Sequence, residues 1–304
     1  MDKKPRICVS LTTMPNQYDK VSKTLDSLHA QSYKLDNIYL SLPETSRRLG
    51  IKYPPVPDEI RKKCSIIKVI DNGPITKISG GLLMEDDPET IIITCDNDMI
   101  YPEKMVEKLV EKSKMYPNSA LGSAGMLLGY DLGCPACAIT PNENNYLYNI
   151  SKFHIPPEGR RVDSVFGYPM ALYRRKMFPK KEKLEEEFFK YALMTPEMLL
   201  NDDITISGYL SLQNIERRIF PDLPNVDFVK ENGERKRTEV EISINLDKFF
   251  QRMNSAIDTA KSLGMYANPE QVSADETILG VSAIIIIVIA VIIFVAVFLY
   301  YYFY

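Results

Sequence analysis

Thr90-Ile91-Ile92-Ile93-Thr94-Cys95-Asp96-Asn97-Asp98-Met99 is the stretch that decides the fold. Its run of β-branched residues has the composition of a buried strand. The run stops where two carboxylates stand one residue apart, so this strand delivers acids at its C-terminal end. Three earlier runs are of the same kind: Ile7-Cys8-Val9-Ser10-Leu11-Thr12, then Asn37 to Leu42 closing at Pro43, then Ser65 to Ile70. Between the first two, after a turn at Met14-Pro15-Asn16, Val21, Leu25 and Leu28 fall at helical spacing. After the fourth, Pro102-Glu103 is a helix start, with Met105, Val106, Leu109 and Val110 on the apolar face. Strands alternating with helices predict a parallel sheet covered on both faces. In such sheets the ligand lies beyond the carboxyl ends of the strands.

Four segments bear side chains suited to chemistry there. Asp96 and Asp98 can offer oxygen ligands to a hard divalent cation, Mg²⁺ or Mn²⁺, which completes its shell with water and phosphate oxygens. An Asp-Asn turn whose side chains bond their own backbone gives the same string. Asp71-Asn72-Gly73-Pro74-Ile75-Thr76-Lys77 follows the third strand; Gly73 permits a tight bend, and Lys77 brings a cation toward the same rim. The plain alternative is a surface turn with a solvated lysine. Asp202 and Asp203 lie among apolar residues at a helix start, where the helix dipole favours acids in any case. One of them is a candidate general base. In Val165-Phe166-Gly167-Tyr168-Pro169, the glycine lets backbone approach a flat ligand and Tyr168 offers a stacking surface, although a packed strand with a turn has the same sequence.

Composition bounds the rest. The chain has 304 residues, 45% hydrophobic and 25% charged, with a net charge of −3 that gives no reason to expect nucleic acid. Five cysteines, an odd number, suit a reducing compartment. The lone Cys134/Cys137 pair with only two histidines, His29 and His154, is poor material for zinc. Ile278 to Tyr304 carries no charge, and about 20 apolar residues suffice to cross a bilayer as a helix. The aromatic end from Tyr300 suits the interface. The expected organisation is a globular domain over 1–265, a polar linker over 266–277 and a single-pass C-terminal anchor over 278–304, with the large domain on the cytosolic side.

The four segments, in this order, resemble the GT-A superfamily of glycosyltransferases, specifically the family 2-like enzymes of bacteria and large DNA viruses. The similarity runs from Val9 through Pro15, Asp71 to Lys77, Asp96 to Pro102 and Gly167 to Arg175, then Asp202 to Leu210. It implies an α/β, Rossmann-like fold with a mixed, mainly parallel sheet flanked by helices. It also implies a hexosyl- or pentosyltransferase taking sugar from a nucleotide-sugar donor, foremost a UDP-sugar, to a glycan, protein or lipid acceptor, with inversion. Carried across residue by residue, Thr12 and Asp71 would line the nucleotide pocket and Lys77 would face the diphosphate. Asp96-Asn97-Asp98 would be the metal and ribose motif, with Asp98 the direct ligand of Mn²⁺ or Mg²⁺ and Asp96 beside it. Asp203 would be the base with Asp202 as the fallback, and Gly167 and Tyr168 would meet the acceptor.

The sequence departs from that pattern in three places. Asn97 replaces an acid often found there, Ser164-Val165-Phe166 precede Gly167 with Asp163 the nearest acid, and Pro117 to Pro156 matches nothing in the family. Two other classes fit the elements. A nucleotidyltransferase would need a glycine-rich loop after the first strand, which Ser10 to Pro15 lacks. A non-catalytic membrane protein with a degenerate fold would have no reason to keep every acid.

Overall fold

The computed structural model describes residues 5–128, 137–139, 155–230 and 246–268. Its strands are β1 (Ile7–Thr12), β2 (Asn37–Pro43), β3 (Ser65–Val69), β4 (Ile91–Cys95), β5 (Met99–Ile100), β6 (Ala120–Gly122), β7 (Gly125–Leu127), β8 (Cys137–Ile139), β9 (Arg160–Arg161), β10 (Ser164–Val165), β11 (Met170–Arg174), β12 (Arg217–Ile219) and β13 (Asp227–Phe228). The helices are α1 (Tyr18–His29), α2 (Asp58–Arg61), α3 (Ser79–Met84), α4 (Met105–Met115), α5 (Leu184–Glu187), α6 (Pro196–Leu199), α7 (Asp202–Leu212) and α8 (Leu246–Ser262).

The main sheet has eight strands in the order β3-β2-β1-β4-β11-β6-β12-β9. β1 pairs parallel with both β2 and β4, and β2 with β3, so the first four strands all end on one rim. The rest of the sheet is mixed, as the resemblance implies. β11 is antiparallel to β4 and to β6, and β9 is antiparallel to β12. α4 carries the chain from β4 to β6, which run the same way but leave a gap one strand wide. β11 fills the gap from the opposite direction and needs no crossover helix to do so. The sheet is thus mixed and mainly parallel, with helices on both faces.

Alternation along the strands builds both layers of the core. Ile7, Val9 and Leu11 of β1, with Ile91 and Ile93 of β4, pack under Val21, Leu25 and Leu28 of α1 and under Leu109 of α4. Cys8 and Ile92 point the other way, toward Ile75, Ile78 and Leu82 and toward Ile206 and Leu210 of α7. A third cluster joins Met253, Ala256, Ile257 and Ala260 of α8 to Met198 of α6 and Ile204 of α7.

Two boundaries differ from expectation. α4 starts at Met105, because Pro102 to Lys104 form a turn closed by Met105 N–H on Pro102 O at 3.0 Å. β3 stops at Val69 and leaves Ile70 exposed. Tyr266, the first residue of the expected linker, is buried on α7, where its hydroxyl donates to Ile204 O at 2.8 Å. The predicted span from Ile278, Cys134 and His154 lie outside the described residues. Among the described residues no helix is long and apolar enough to cross a membrane.

Candidate active site

Lys77 sits where it does because its main chain is bolted to the sheet. After β3, the Asp71 carboxylate accepts Gly73 N–H at 2.8 Å and Arg47 N–H at 2.6 Å, which closes the turn. Gly73 has φ +76°, and any Cβ there would strike the carbonyl oxygen of Leu199, so only glycine lets this turn lie against the end of α6. A 3₁₀ turn, Gly73–Ile78, follows. Ser10 on β1 donates its hydroxyl to Lys77 O at 2.6 Å and accepts Gly81 N–H at 3.1 Å. The Lys77 side chain then runs to the end of β4, 7% exposed in all. Its ammonium lies 2.7 Å from Asp96 Oδ1 and 3.0 Å from Asp202 Oδ2. Burial on its own would lower the pKa of this lysine. The surrounding charges of Asp202, Asp96 and Asp203 outweigh that and hold it well above the ordinary value.

The two acids open α7, where the unpaired amides of the first turn favour negative charge. Asp202 Oδ2 is buried and has no aligned hydrogen bond, so Coulomb attraction to Lys77 holds it. Asp203 Oδ1 accepts Gly167 N–H at 2.6 Å. Ser164 Oγ donates to Asp203 O at 3.1 Å, and Val165 N–H donates to Ser207 Oγ at 3.0 Å, which fixes this loop along α7. A Cβ on Gly167 would stand 3.2 Å from Lys77 Nζ and 3.3 Å from Asp203 Oδ1. Burial, then the charge of Asp202, raise Asp203 well above the usual carboxylate range, against the opposing pull of Lys77 and the Gly167 amide. The result is a carboxylate with more basicity than a solvated one.

At the end of β4 the acidic turn is held from outside by a polar stripe on α1. Thr24 Oγ1 lies 2.8 Å from Asn97 O and 2.9 Å from Met99 O. Ser27 Oγ accepts Tyr101 N–H at 3.1 Å. Just past the helix, Gln31 donates to Pro102 O at 2.9 Å and accepts Val106 N–H at 3.0 Å. Asn97 Nδ2 donates to Thr13 Oγ1 and Gln17 Oε1, both at 3.0 Å, and Val229 N–H donates to Asp98 O at 2.8 Å. Polar groups this deep are tolerated because each is bonded. Tyr101 turns its ring back under the site, and Asp96 N–H donates to its hydroxyl at 2.9 Å.

The structure therefore brings Lys77, Asp96, Asp202, Asp203 and Gly167 together, with Asn97 and Asp98 in the same turn as Asp96. Asp71 braces its own turn and Arg47. The Thr12 hydroxyl donates to Ser41 O at 2.8 Å, so what Thr12 offers the rim is mainly its backbone. Tyr168 is half-buried and stacks on Phe228, with ring centroids 6.3 Å apart and planes 20° from parallel. Sequence reasoning missed Thr24, Ser27, Gln31 and Tyr101. The signal for the first two was a polar pair, three residues apart, on a helix face that ought to be apolar.

The acids at the end of β4 are the oxygen donors on offer to a divalent cation. Asp96 and Asp98 both keep some exposure and both offer hard oxygens, although Lys77 already engages Asp96 Oδ1. Among the described residues no group of three or more His, Cys, Asp or Glu side chains comes together to hold a metal. Two carboxylates with the remaining positions taken by water and phosphate fit Mg²⁺ or Mn²⁺. They do not fit a closed structural site.

No protein-family model and no curated protein matches the chain. Among solved structures it is similar to S. aureus TarS 1-349, at 11% identity and TM-score 0.43, over 71% of this chain and 58% of that one. It is also similar to S. aureus TarS, at 11% identity and TM-score 0.42, over 71% of this chain and 35% of that one. The chain thus spans less than two thirds of either.

Proposed function

We propose that this chain is a cation-dependent glycosyltransferase that moves a sugar from a nucleotide-sugar donor, foremost a UDP-sugar, to an acceptor hydroxyl. The observation that carries this reading is the meeting of strand-end and helix-start carboxylates around one buried ammonium. Lys77 is bonded to Asp96 on the donor side and paired with Asp202 beside the candidate base. A transferase needs a base for the acceptor and charge compensation for a departing diphosphate, close together.

Asp203 takes the proton from the acceptor hydroxyl as that oxygen attacks the anomeric carbon, in a single in-line displacement that inverts the configuration. Its raised basicity supports that role, and Asp202 keeps a second negative charge beside it. Asp98, with Asp96, would hold Mn²⁺ or Mg²⁺. That cation would supply neutralisation of the leaving diphosphate. Lys77 adds a second positive charge on the same side, and Thr12 and Asn97 border the nucleotide. Gly167 serves by giving its amide to Asp203, and Tyr168 lies next in the chain on the acceptor side. The uncharged stretch from Ile278 anchors the domain on the cytosolic face of a membrane, which suits a glycan, protein or lipid acceptor held there.

The test is the full chain with a panel of sugar nucleotides and Mn²⁺ or Mg²⁺, monitoring nucleoside diphosphate release, with EDTA and Asp98→Ala as controls. Metal-dependent release from one donor, lost in the variant, is the expected result. No release, together with no metal-dependent thermal shift on any sugar nucleotide, would falsify the reading.

A further inference from the structure

Tyr101 lies between the acidic turn and the loop of Gly167. It is 3% exposed, and its ring is fixed from behind by the Ser27 and Gln31 contacts of its backbone. Its hydroxyl accepts Asp96 N–H at 2.9 Å and donates to Pro169 O at 2.9 Å; Asp96 O is also near, at 3.3 Å. One oxygen thus joins the first residue of the acidic turn to the loop of Gly167, whose amide holds Asp203. Two neighbouring contacts repeat the link through the sheet, since Met170 pairs with Cys95 and Ala171 with Thr94. Those pairs stop one residue short of Asp96 and of Pro169. Beyond the last rung, the phenol carries the link on, from Asp96 N–H to Pro169 O through one oxygen.

We propose that Tyr101 is a positioning residue, whose hydroxyl sets the separation between the carboxylates at the end of β4 and the loop that holds Asp203. It touches no reacting atom, and the proposal rests on the function given above for its catalytic consequence. Phenylalanine at this position would fill the same volume. It would leave the part-buried Asp96 N–H without its acceptor and the buried Pro169 carbonyl without its donor, which is the costly half of deleting a hydrogen bond. The turn and the loop would then be free to drift apart, and proximity of reacting groups is steeply sensitive to such drift.

The experiment compares Tyr101→Phe with Tyr39→Phe in the full chain. Tyr39 is also buried and donates to Glu85 at 2.7 Å, on a carboxylate outside the Lys77 cluster, so it controls for loss of a buried phenolic bond. Hydrogen–deuterium exchange is followed in peptides covering 95–101 and 163–170, and transfer kinetics are measured alongside. In Tyr101→Phe both peptides are expected to exchange roughly tenfold faster, with kcat down about tenfold and donor KM within about twofold. Tyr39→Phe should change neither, at a similar loss of Tm. Unchanged exchange in the 163–170 peptide, or an equal fall of kcat in both variants, overturns the proposal. If the native chain transfers no sugar yet the exchange of both loops is still coupled through Tyr101, the positioning stands and the proposed reaction falls.

Discussion

The ammonium of Lys77 lies 3.0 Å from Asp202 Oδ2, which links the segment after β3 to the first turn of α7. Both groups are largely withdrawn from water, so neither is easily left alone. Lys77→Met should cost about 3–5 kcal/mol, because it strands two carboxylates that were compensated. Adding Asp202→Asn should recover part of that loss, with a coupling on the order of 1–3 kcal/mol. Chemical denaturation of the two single variants and the double variant measures it. Strict additivity would show that the pair does not act as one.

With Asp203 as the proposed base, stability and activity should respond to pH in opposite directions. Its folded-state pKa is raised, mainly by burial and by Asp202. The folded chain therefore keeps a proton that the unfolded chain releases near pH ~4, and stability falls as pH climbs from there toward the raised value. On the proposed function the base must be ionised, so the rising limb of kcat/KM should sit above the range of an ordinary carboxylate. Asp203→Asn should remove the pH-dependent loss of Tm while lowering kcat by roughly 10²–10⁴-fold. A variant with native activity would remove Asp203 from the chemistry.

Gly73→Ala tests whether the turn before Lys77 is as confined as it looks. The residue has positive φ and no room for a Cβ beside Leu199 O, so a loss of at least ~1–3 kcal/mol is expected. The turn would have to shift, carrying Lys77 with it, and the native ion pairs should weaken as well. Equal denaturation midpoints for variant and native chain would refute the packing.

On the proposed function, removing the cation should mimic removing Asp98. EDTA and Asp98→Asn are each expected to lower turnover by ~10²-fold or more, in line with the several kcal/mol a Lewis acid contributes. Added Mn²⁺ should restore the chelated native chain but not the variant. Full activity in EDTA would move the compensation of the leaving group onto Lys77.

The first four strands were legible because each is a compact apolar run ending at turn residues, and the acids at the end of β4 stood out against them. β11 was not legible as an antiparallel strand. All five of its residues, Met170 to Arg174, are buried, so it has no alternation from which direction or neighbours could be read. Lys77 was taken for a residue facing phosphate. The structure adds that it is buried among three acids, a property of packing between segments far apart in sequence. Thr24, Ser27 and Tyr101 escaped notice for a related reason. Their hydrogen bonds go to main-chain atoms of other segments, and no spacing in a sequence announces a main-chain partner.

The link between Lys77 and α7 also orders the life of the chain on the ribosome. β1 to β4 can pair once Cys95 has emerged, since their registers involve no later residue. Asp202 and Asp203 are synthesised more than a hundred residues afterwards. Until then the Lys77 ammonium has only Asp96 for company and must stay hydrated, so the nascent half-domain cannot shut that corner. A polypeptide released early would carry the acidic turn after β4 without the acids of α7.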